Sequence, residues 1–311
     1  MERVNLTGRP HGLAAAAPRD IRFALLSHEG TDNLGDDIQA IAARAFLPRV
    51  DRLLPRERLD EDPGEPLALI LNGWYMNEPA HWPPNPALAP LVTSFHLSDR
   101  RPRRWRLWQP TPAVALLARE GGDYLRAHGP VGARDRATLA LLRANGVEAH
   151  LSGCLTLTLK APPGVKLHGR VVACDLPDAA LAELARRIGE APIAVTHRID
   201  PALSIARRLR QAEAMIALYS GAKAVVTTRL HCVLPCLGFG TPVLFLRGPR
   251  VSGRELPAVE LAHHAALADF LAGRDGFNPQ RPRANPGAHL ALAETLAARC
   301  TDFVARPISA G

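Results

Sequence analysis

The chain has 311 residues, of which 47% are hydrophobic and 22% are charged. These are ordinary values for a globular protein, and they exclude a wholly disordered chain, a collagen and a small disulfide-stapled protein. Lys plus Arg number 38 and Asp plus Glu number 30, so the formal net charge is +8 and the chain suits an anionic partner.

The first predicted elements form the opening of a βα unit. Residues 1–20 are rich in alanine and interrupted by proline, so we expect a loose N-terminal leader there. Residues 21–27 form a predicted buried strand. Asn33 then suits a helix N-cap, and Asp36 and Asp37 fall in the first helical turn, where carboxylates are favoured.

Further strands and helices alternate up to residue 160. The apolar run 67–71 is a predicted strand that ends at Asn72 and Gly73, because this pair is typical of turns. The next predicted elements are a strand over 91–95, a helix over 135–144 and a strand over 147–151. This order indicates a parallel sheet covered by helices.

A second alternating series begins after a segment rich in proline and glycine. That segment, 160–170, is a candidate domain boundary. Beyond it, strands are predicted over 171–174, 193–196, 224–228 and 243–246, and helices over 178–188, 202–219, 230–237, 255–272 and 287–300. The predicted fold class is therefore α/β with two Rossmann-like domains. We expect an N-terminal domain over 21–165 and a C-terminal domain over 166–311, with the last helix in the second domain or returning to the first.

Several function classes are disfavoured by the residue pattern. The five cysteines are an odd number in a long chain, which predicts buried thiols, and Cys232 and Cys236 have no second ligand pair for zinc. Trp105 and Trp108 lie beside arginines at 100–106, but no nucleic-acid-binding motif accompanies them. No segment reads as a membrane span. We expect no metal, no nucleic acid and a reducing, cytoplasmic location.

Two groups of polar residues in the first half stand at the ends of predicted elements. Asp36 and Asp37 beside Gly35 are either helix-capping groups or carboxylates that bind hydroxyls or accept a proton. Arg134 stands at the start of a helix, where a cation is unfavourable for the helix dipole. That local conflict favours an anion-binding role for Arg134.

A third group follows the predicted strand 224–228 directly. It brings the hydroxyl of Thr228, the guanidinium of Arg229 and the imidazole of His231 to one strand end. A guanidinium binds phosphate and carboxylate bidentately, and an imidazole exchanges protons near neutral pH. These side chains predict a small substrate with several negative charges and acid catalysis upon it.

With these residues in place, the sequence resembles the polysaccharide pyruvyl transferase family. The segments that carry the resemblance run in family order and cover most of residues 21–246. They are NLGDDIQ (33–39), LILNGWYM (69–76), VGARDRATLALLRANG (131–146), SGCLTLTL (152–159) and TTRLHCVLPCLGFGTPV (227–243). The last segment is the most specific. The family often has a glycine-rich triplet where this chain has Asn72, Gly73 and Trp74.

The resemblance implies a fold and an activity. Family members have two domains in a GT-B-type arrangement, and they transfer the enolpyruvyl unit of phosphoenolpyruvate onto a sugar diol. The resemblance implies that the N-terminal domain (21–165) is the acceptor side and the C-terminal domain (166–311) is the donor side. The products are a pyruvate ketal and free phosphate. The implied donor substrate is phosphoenolpyruvate with no cofactor and no metal. The implied acceptor is a bacterial polysaccharide or oligosaccharide precursor, either free or linked to a lipid at the inner face of the membrane.

The resemblance also implies roles for individual residues. His231 is expected to be the general acid that protonates the methylene carbon of phosphoenolpyruvate. Arg229 and Arg134 are expected to hold phosphate and carboxylate, while Asp36 or Asp37 accepts the proton of the attacking hydroxyl. The other residues expected to bind substrate are Asn33, Gly35, Asn72, Gly73, Thr228 and Leu230.

Three other interpretations stay open at this point. A GT-B glycosyltransferase that uses a nucleotide sugar would have the same fold, with arginine and histidine on a diphosphate. A basic module for nucleic acid or membrane would bind with a steep dependence on salt. A related scaffold without activity would keep the fold alone. The sequence does not indicate the oligomeric state.

Overall fold

The computed structural model describes residues 22–76, 78–97, 111–118 and 120–306. The predicted leader over 1–20 and the basic stretch over 100–106 with its neighbouring tryptophans lie outside the described residues. Within them, the strands form two parallel sheets that are flanked by helices. The predicted α/β class with Rossmann-like sheets is confirmed at this level.

The first sheet has six strands in the order β2-β1-β3-β4-β5-β6, all of them parallel. The strands are β1 (Phe23–Ser27), β2 (Arg52–Pro55), β3 (Leu67–Tyr75), β4 (Leu88–Leu97), β5 (Val131–Ala133) and β6 (Ala149–Leu151). The helices along this part of the chain are α1 (Leu34–Arg44), α2 (Pro112–Leu117), α3 (Glu120–Ala127) and α4 (Arg136–Ala144), with 3-10 turns at Arg56–Arg58 and Pro79–His81.

The second sheet has five parallel strands in the order β11-β10-β9-β7-β8. The strands are β7 (Val171–Cys174), β8 (Ile193–Val195), β9 (Ala224–Thr227), β10 (Val243–Arg247) and β11 (His263–Ala266). The helices are α5 (Asp178–Ile188), α6 (Ile205–Ser220), α7 (Leu230–Phe239), α8 (Leu256–Leu261), α9 (Leu267–Leu271) and α10 (Leu290–Ala305), with 3-10 turns at Leu155–Thr158 and Gly287–His289.

The described chain divides into two compact units. The first unit contains the residues up to Glu29, the segment Ala42–Leu155 and the residues from Thr295 onward. The second unit contains Gly30–Ile41 and Thr156–Glu294. The start of α1, which carries the two aspartates, therefore belongs to the second unit together with β7 to β11.

The strand order places a topological switch point in the second unit. The strand after β7, which is β8, lies on one side of β7, and β9 lies on its other side. The connection after β7 therefore runs towards one edge of the sheet and the connection after β9 runs towards the other edge. Such a reversal leaves a crevice outside the carboxyl ends of β7 and β9. Ligands of open parallel sheets bind at such a crevice.

Each sheet buries an apolar core of its own. In the first unit Tyr75 stacks on Phe95 with ring centroids 4.6 Å apart, and both rings are fully buried. In the second unit Val226, Leu244 and Phe270 pack into one buried cluster. Long runs of buried residues on the central strands are typical of parallel sheets covered on both faces.

The predicted end of the strand at Asn72 and Gly73 is wrong, because β3 continues through both residues to Tyr75. The pairing of β3 with β4 shifts its register at this point, and β4 has one residue more than β3 across the shift. Such a bulge lets a strand continue past a residue pair that otherwise marks a turn. Gly73 has φ +104°, which glycine tolerates because it lacks a Cβ, and Ser94 in the bulge has φ +51°.

The single helix predicted over 255–272 is also wrong, because the segment contains α8, β11 and α9. The strand β11, which lies between the two helices of this segment, pairs in parallel with β10 along four residues. Sheet pairing satisfies the backbone of this segment at the edge of the second sheet, and this tertiary gain outweighs the local helical pattern. Among the described helices, none has the length and hydropathy needed to cross a membrane.

Candidate functional site

The carboxyl ends of β7, β8 and β9 meet around the carboxylate of Asp175. This residue follows β7 directly and has φ +52°, a left-handed conformation that is uncommon outside glycine. Its carboxylate accepts hydrogen bonds from Thr196 Oγ1 at 2.6 Å, from the His197 backbone N–H at 2.9 Å and from Arg229 Nε at 2.7 Å. One carboxylate thus fixes the loops that follow three neighbouring strands.

Arg229 offers the open end of its guanidinium to a ligand. Its Nε is bonded to Asp175, and its side chain is 33% exposed. Within the described part of the chain, Nη1 and Nη2 of Arg229 make no hydrogen bond. A guanidinium that is anchored at one side and open at the other is suited to a bidentate bond with phosphate or carboxylate.

The Asp175 carboxylate must be ionised to hold the Arg229 guanidinium. Burial alone would raise the pKa of the Asp175 carboxyl. The hydrogen bonds from Thr196 and His197 and the positive charge of Arg229 outweigh burial and hold the pKa below its ordinary value. Asp175 is therefore ionised at neutral pH and keeps Arg229 in place.

Thr228 and its neighbour Thr227 fasten the end of β9 to the end of β7. Thr227 Oγ1 donates to the Cys174 carbonyl at 3.1 Å, and Thr228 Oγ1 donates to the Asp175 carbonyl at 2.9 Å. The Arg229 N–H donates to Thr227 Oγ1 at 3.0 Å. Thr228 is thus part of the frame that positions Arg229.

His231 lies in the first turn of α7 and packs against the first turn of α1. Leu230, the first residue of α7, and His231 are both buried. A Cβ placed on Gly35 would come within 2.9 Å of His231 Nδ1 and 3.0 Å of His231 Cβ. Only glycine fits at position 35 without displacing the imidazole. Asn33 Oδ1 accepts the Gly35 N–H at 3.2 Å, so Asn33, Gly35 and His231 form one cluster.

The two aspartates of α1 have different partners. Asp36 is buried and accepts a hydrogen bond from Gln39 Nε2 at 3.2 Å. Asp37 forms a buried ion pair with Arg208, in which Nη2 lies 2.8 Å from Oδ2 and Nε lies 3.2 Å from Oδ1. Arg208 Nη1 also donates to the Thr31 carbonyl at 2.7 Å. The pair fixes the loop that leads into α1.

Burial raises the pKa of Asp37 to about 6, while the ion pair with Arg208 opposes this rise. The carboxylate therefore remains ionised at neutral pH. Both of its oxygens are occupied by Arg208, whereas Asp36 has no such ion pair in the part of the chain that is described. This difference separates two residues that the sequence leaves equivalent.

His197 links Asp175 to the start of α1. Its backbone N–H bonds Asp175, and its carbonyl accepts the N–H of Leu34 at 2.8 Å. Its ring Nε2 lies 2.9 Å from the hydroxyl of Tyr219, which donates to Cys174 Sγ at 3.3 Å. These contacts join the Asp175 loops and the Asn33 cluster within one framework.

Arg134 lies in the first unit, immediately after β5. It is buried, and its backbone N–H donates to the Phe95 carbonyl at 2.8 Å. The next residue, Asp135, caps α4 by accepting the Thr138 N–H at 2.9 Å, and its Oδ2 lies 3.8 Å from Arg134 Nε. The same Oδ2 lies 2.6 Å from His96 Nδ1.

These neighbours determine the charge of Asp135. Burial would raise its pKa, but the bond with His96, the charge of Arg134 and the Thr138 N–H hold the pKa below the ordinary value. Asn72 and Gly73 also belong to this unit, in β3, where the Asn72 side chain is buried.

The structure thus gathers most of the predicted site residues in one unit. The residues in the second unit are Asn33, Gly35, Asp36, Asp37, Thr228, Arg229, Leu230 and His231. The residues in the first unit are Asn72, Gly73 and Arg134. Each set is positioned by its own sheet.

Sequence reasoning missed four residues that hold these positions. Asp175 could have been found, because it directly follows the predicted strand 171–174, as Arg229 follows its own strand. Arg208, His96 and His197 carry no local signal, because their roles depend on partners in distant segments.

The described residues were also compared with the predictions for cysteines and metal ligands. All five cysteines are buried, as predicted. Burial keeps the pKa of the Cys232 thiol well above its ordinary value. In the ranges that the structure covers, no three His, Cys, Asp or Glu side chains are grouped as metal ligands.

Comparison with known proteins bears directly on this site. Residues 122–248 match the family model described as polysaccharide pyruvyl transferase. The matched segment contains Arg134, Asp175, Arg229 and His231, and it confirms the resemblance over residues 122–248. The segments 33–39 and 69–76 lie outside the match. The match also confirms the expectation of a transferase enzyme. No curated protein matches the chain.

Proposed function

We propose that this chain, whose residues 122–248 match the polysaccharide pyruvyl transferase family, transfers the enolpyruvyl unit of phosphoenolpyruvate onto a saccharide diol. The observation that supports the donor is the guanidinium of Arg229. It is fixed by Asp175 at the switch point of the second sheet and open to an anion on its exposed side. His231 follows it by two residues and provides an acid.

The reaction begins with proton transfer to carbon. His231 gives a proton to the methylene carbon of phosphoenolpyruvate, and the double-bond electrons form the new C–H bond. The adjacent carbon becomes electron-deficient. Arg229 pairs with the phosphate or the carboxylate of the donor and stabilises the negative charge of that group as the reaction proceeds.

Two hydroxyls of the acceptor then complete the ketal. The first oxygen attacks the electron-deficient carbon and loses its proton to a carboxylate. The bond to phosphate breaks, phosphate leaves with the electron pair, and the second hydroxyl closes the ring. The carboxylate passes the proton of the first hydroxyl to the departing phosphate, and the proton of the second hydroxyl restores His231, so the protons balance.

Asp36 is the better candidate for that carboxylate. Both oxygens of Asp37 are engaged by Arg208, so accepting a proton would leave a buried guanidinium without its counter-charge. We assign Asp36 to the acceptor hydroxyl and Asp37 to the positioning of α1. Asn33, Gly35, Thr228 and Leu230 remain proposed substrate-binding residues.

Several finer features remain predictions from the sequence and from the resemblance. They are the GT-B-type arrangement, the second anion-binding role of Arg134 and the contribution of Asn72 and Gly73. They also include the role in exopolysaccharide biosynthesis, the cytoplasmic location, the lipid link of the acceptor and contact with the inner face of a membrane. The net charge of +8 supports attraction to an anionic surface.

The test is a product assay on the full chain. The protein is incubated with phosphoenolpyruvate and a panel of bacterial oligosaccharides, and products are read by mass spectrometry together with released phosphate. We expect an acceptor that gains a pyruvate ketal, with phosphate released in equal amount. Transfer of a sugar from a nucleotide sugar, without ketal formation, would instead establish the glycosyltransferase alternative.

A further inference from the structure

The loop that follows β8 carries an arginine, Arg198, that the proposed chemistry does not use. Two residues before it, Thr196 bonds the Asp175 carboxylate through its hydroxyl, and the Arg198 N–H donates to the same hydroxyl at 3.0 Å. The residue between them, His197, is 1% exposed, whereas Thr196 and Arg198 are both exposed. Side chains that alternate in this way project to opposite faces of the chain. Arg198 therefore shares a face with the hydroxyl that holds Asp175.

Arg198 is also paired with Asn33 across a short antiparallel bridge. Two backbone hydrogen bonds flank this pair, from the N–H of Leu34 to the carbonyl of His197 at 2.8 Å and from the N–H of Ile199 to the carbonyl of Asp32 at 3.0 Å. In this pattern the pair itself is of the non-hydrogen-bonded kind, in which the two Cα atoms are about 4.5 Å apart. The side chains of such a pair are close neighbours on one face.

The side chain of Asn33 lies beside the proposed acid. A Cβ at Gly35 would come within 3.2 Å of Asn33 Oδ1 and within 2.9 Å of His231 Nδ1, so the amide and the imidazole border the same small space. Because Arg198 is the cross-strand neighbour of Asn33, its side chain begins next to this cluster. Arg198, His231 and Arg229 all belong to the second unit.

The positive charge of Arg198 is not offset by a carboxylate. Within the described residues, its side chain makes no hydrogen bond and no ion pair, and this includes the nearby carboxylates of Asp32 and Asp200. Arg208, in contrast, is neutralised by its ion pair with Asp37. An exposed guanidinium without a counter-charge can pair with an anionic ligand at little cost in desolvation.

The donor of the proposed reaction calls for more than one cation. Phosphoenolpyruvate carries a phosphate and a carboxylate, and the guanidinium of Arg229 can pair bidentately with one of them. We propose that Arg198 is a second donor-binding residue, whose guanidinium pairs with the anionic group that Arg229 leaves. The inference rests on the proposed function, and it adds a cation to the one that the resemblance implies at Arg134.

The test is calorimetric titration of the full chain with two probes. Phosphoenolpyruvate is the donor, and 2-phosphoglycolate carries the same two kinds of anionic group without a reactive double bond. We expect Arg198→Ala to lose about tenfold in affinity for both probes, because a charge-assisted contact is removed. Arg198→Lys keeps the positive charge and should lose less than Arg198→Ala.

Arg210→Ala is the matched control, because Arg210 is an exposed arginine of α6 in the same unit. It should bind both probes as the wild type does. Unfolding curves accompany the titrations. The exposed side chain of Arg198 has no partner in the described part of the chain, so Arg198→Ala should keep the wild-type free energy of unfolding.

Three results decide the matter. Equal affinity of the wild type and Arg198→Ala for phosphoenolpyruvate would overturn the inference and leave the proposed function standing. Failure of both probes to bind the wild type would also overturn it. Binding of 2-phosphoglycolate that depends on Arg198, without binding of phosphoenolpyruvate, would support the site and contradict the proposed function.

Discussion

His231 is the residue on which the proposed chemistry depends most. It is 3% exposed, lies in the first turn of α7 and is in close contact with the start of α1. Burial at a helix start gives the imidazole a fixed position, which proton transfer to carbon requires. An exposed histidine would have to lose conformational freedom at every turnover.

His231→Ala should therefore lower turnover by about 10² to 10⁴, which is the usual contribution of a positioned acid. The measurement is phosphate released from phosphoenolpyruvate in the presence of an acceptor. His264→Ala, at an exposed histidine of β11, is the matched control and should leave turnover unchanged. Equal turnover in the wild type and His231→Ala would remove His231 from the mechanism.

Asp175 predicts a specific pH dependence of stability. Its folded pKa is held below the ordinary value because Thr196, His197 and Arg229 stabilise the carboxylate against the effect of burial. A lowered folded pKa gives stability that is present above the unfolded pKa of about 4 and is lost as the pH falls through the folded pKa.

We expect Asp175→Asn to be less stable than the wild type at neutral pH, and the difference to shrink as the pH falls below about 4. Urea denaturation across this range measures both free energies of unfolding. A constant difference between the two proteins at every pH would show that the charge of Asp175 contributes nothing.

At the scale of secondary-structure elements, the site depends on the close approach of two helix starts. The first turns of α1 and α7 come so near that position 35 has no room for a Cβ beside His231. A glycine inside a helix costs roughly 0.5–1 kcal/mol relative to alanine, so its presence needs a compensating reason. Here that reason is the space that the imidazole occupies.

Gly35→Ala should displace His231 and lower kcat, because the added methyl would come within 2.9 Å of Nδ1. Gly287→Ala is the control, since a Cβ there would meet its nearest neighbour at an ordinary 3.5 Å. Steady-state kinetics with unfolding curves separates the effect on His231 from loss of stability. An unchanged kcat in Gly35→Ala would show that the imidazole position is not critical.

The Asp37–Arg208 pair connects α1 to α6. Both side chains are buried, at 2% and 0% exposure respectively, and the pair also holds the loop at Thr31. Removing one partner of a buried ion pair leaves the other charge uncompensated, at a cost of about 3–5 kcal/mol. The helix start that carries Asn33 is anchored through this contact.

Asp37→Asn should accordingly lower the free energy of unfolding by about 3–5 kcal/mol, measured by denaturant titration. The double variant Asp37→Leu/Arg208→Met removes both charges and should recover much of that loss. A loss under about 1 kcal/mol in Asp37→Asn would contradict the structural role given to this pair.

At the scale of the whole molecule, alternation of strands and helices was readable from the sequence. The bounds of β7 and of α5 agree with the predictions residue by residue, because apolar runs and helical periodicity are strong there. The bulge at Asn72 and the short strand at 263–266 were not predicted, because both depend on pairing with another strand. Hydrophobic periodicity in the sequence therefore identifies those elements whose local preference is not outweighed by pairing with a distant strand.

Candidate site residues were identified from the sequence where they follow a predicted strand or begin a predicted helix. Arg229 and His231 were found from their position after a predicted strand, whereas Arg208 was missed because its partner Asp37 is 171 positions away. The pairing of His96 with Asp135 across 39 positions was likewise invisible. Contacts of this kind come from the fold and leave no local periodicity.

The central claim is that the second unit binds phosphoenolpyruvate through Arg229, and calorimetric titration of the full chain tests it most directly. The wild type should bind phosphoenolpyruvate saturably, and Arg229→Ala should lose about tenfold or more in affinity, since a bidentate charged contact is removed. Arg250→Ala, at an exposed arginine of the same unit, should bind as the wild type does. Absence of saturable binding to the wild type, or equal affinity in Arg229→Ala, would contradict the account.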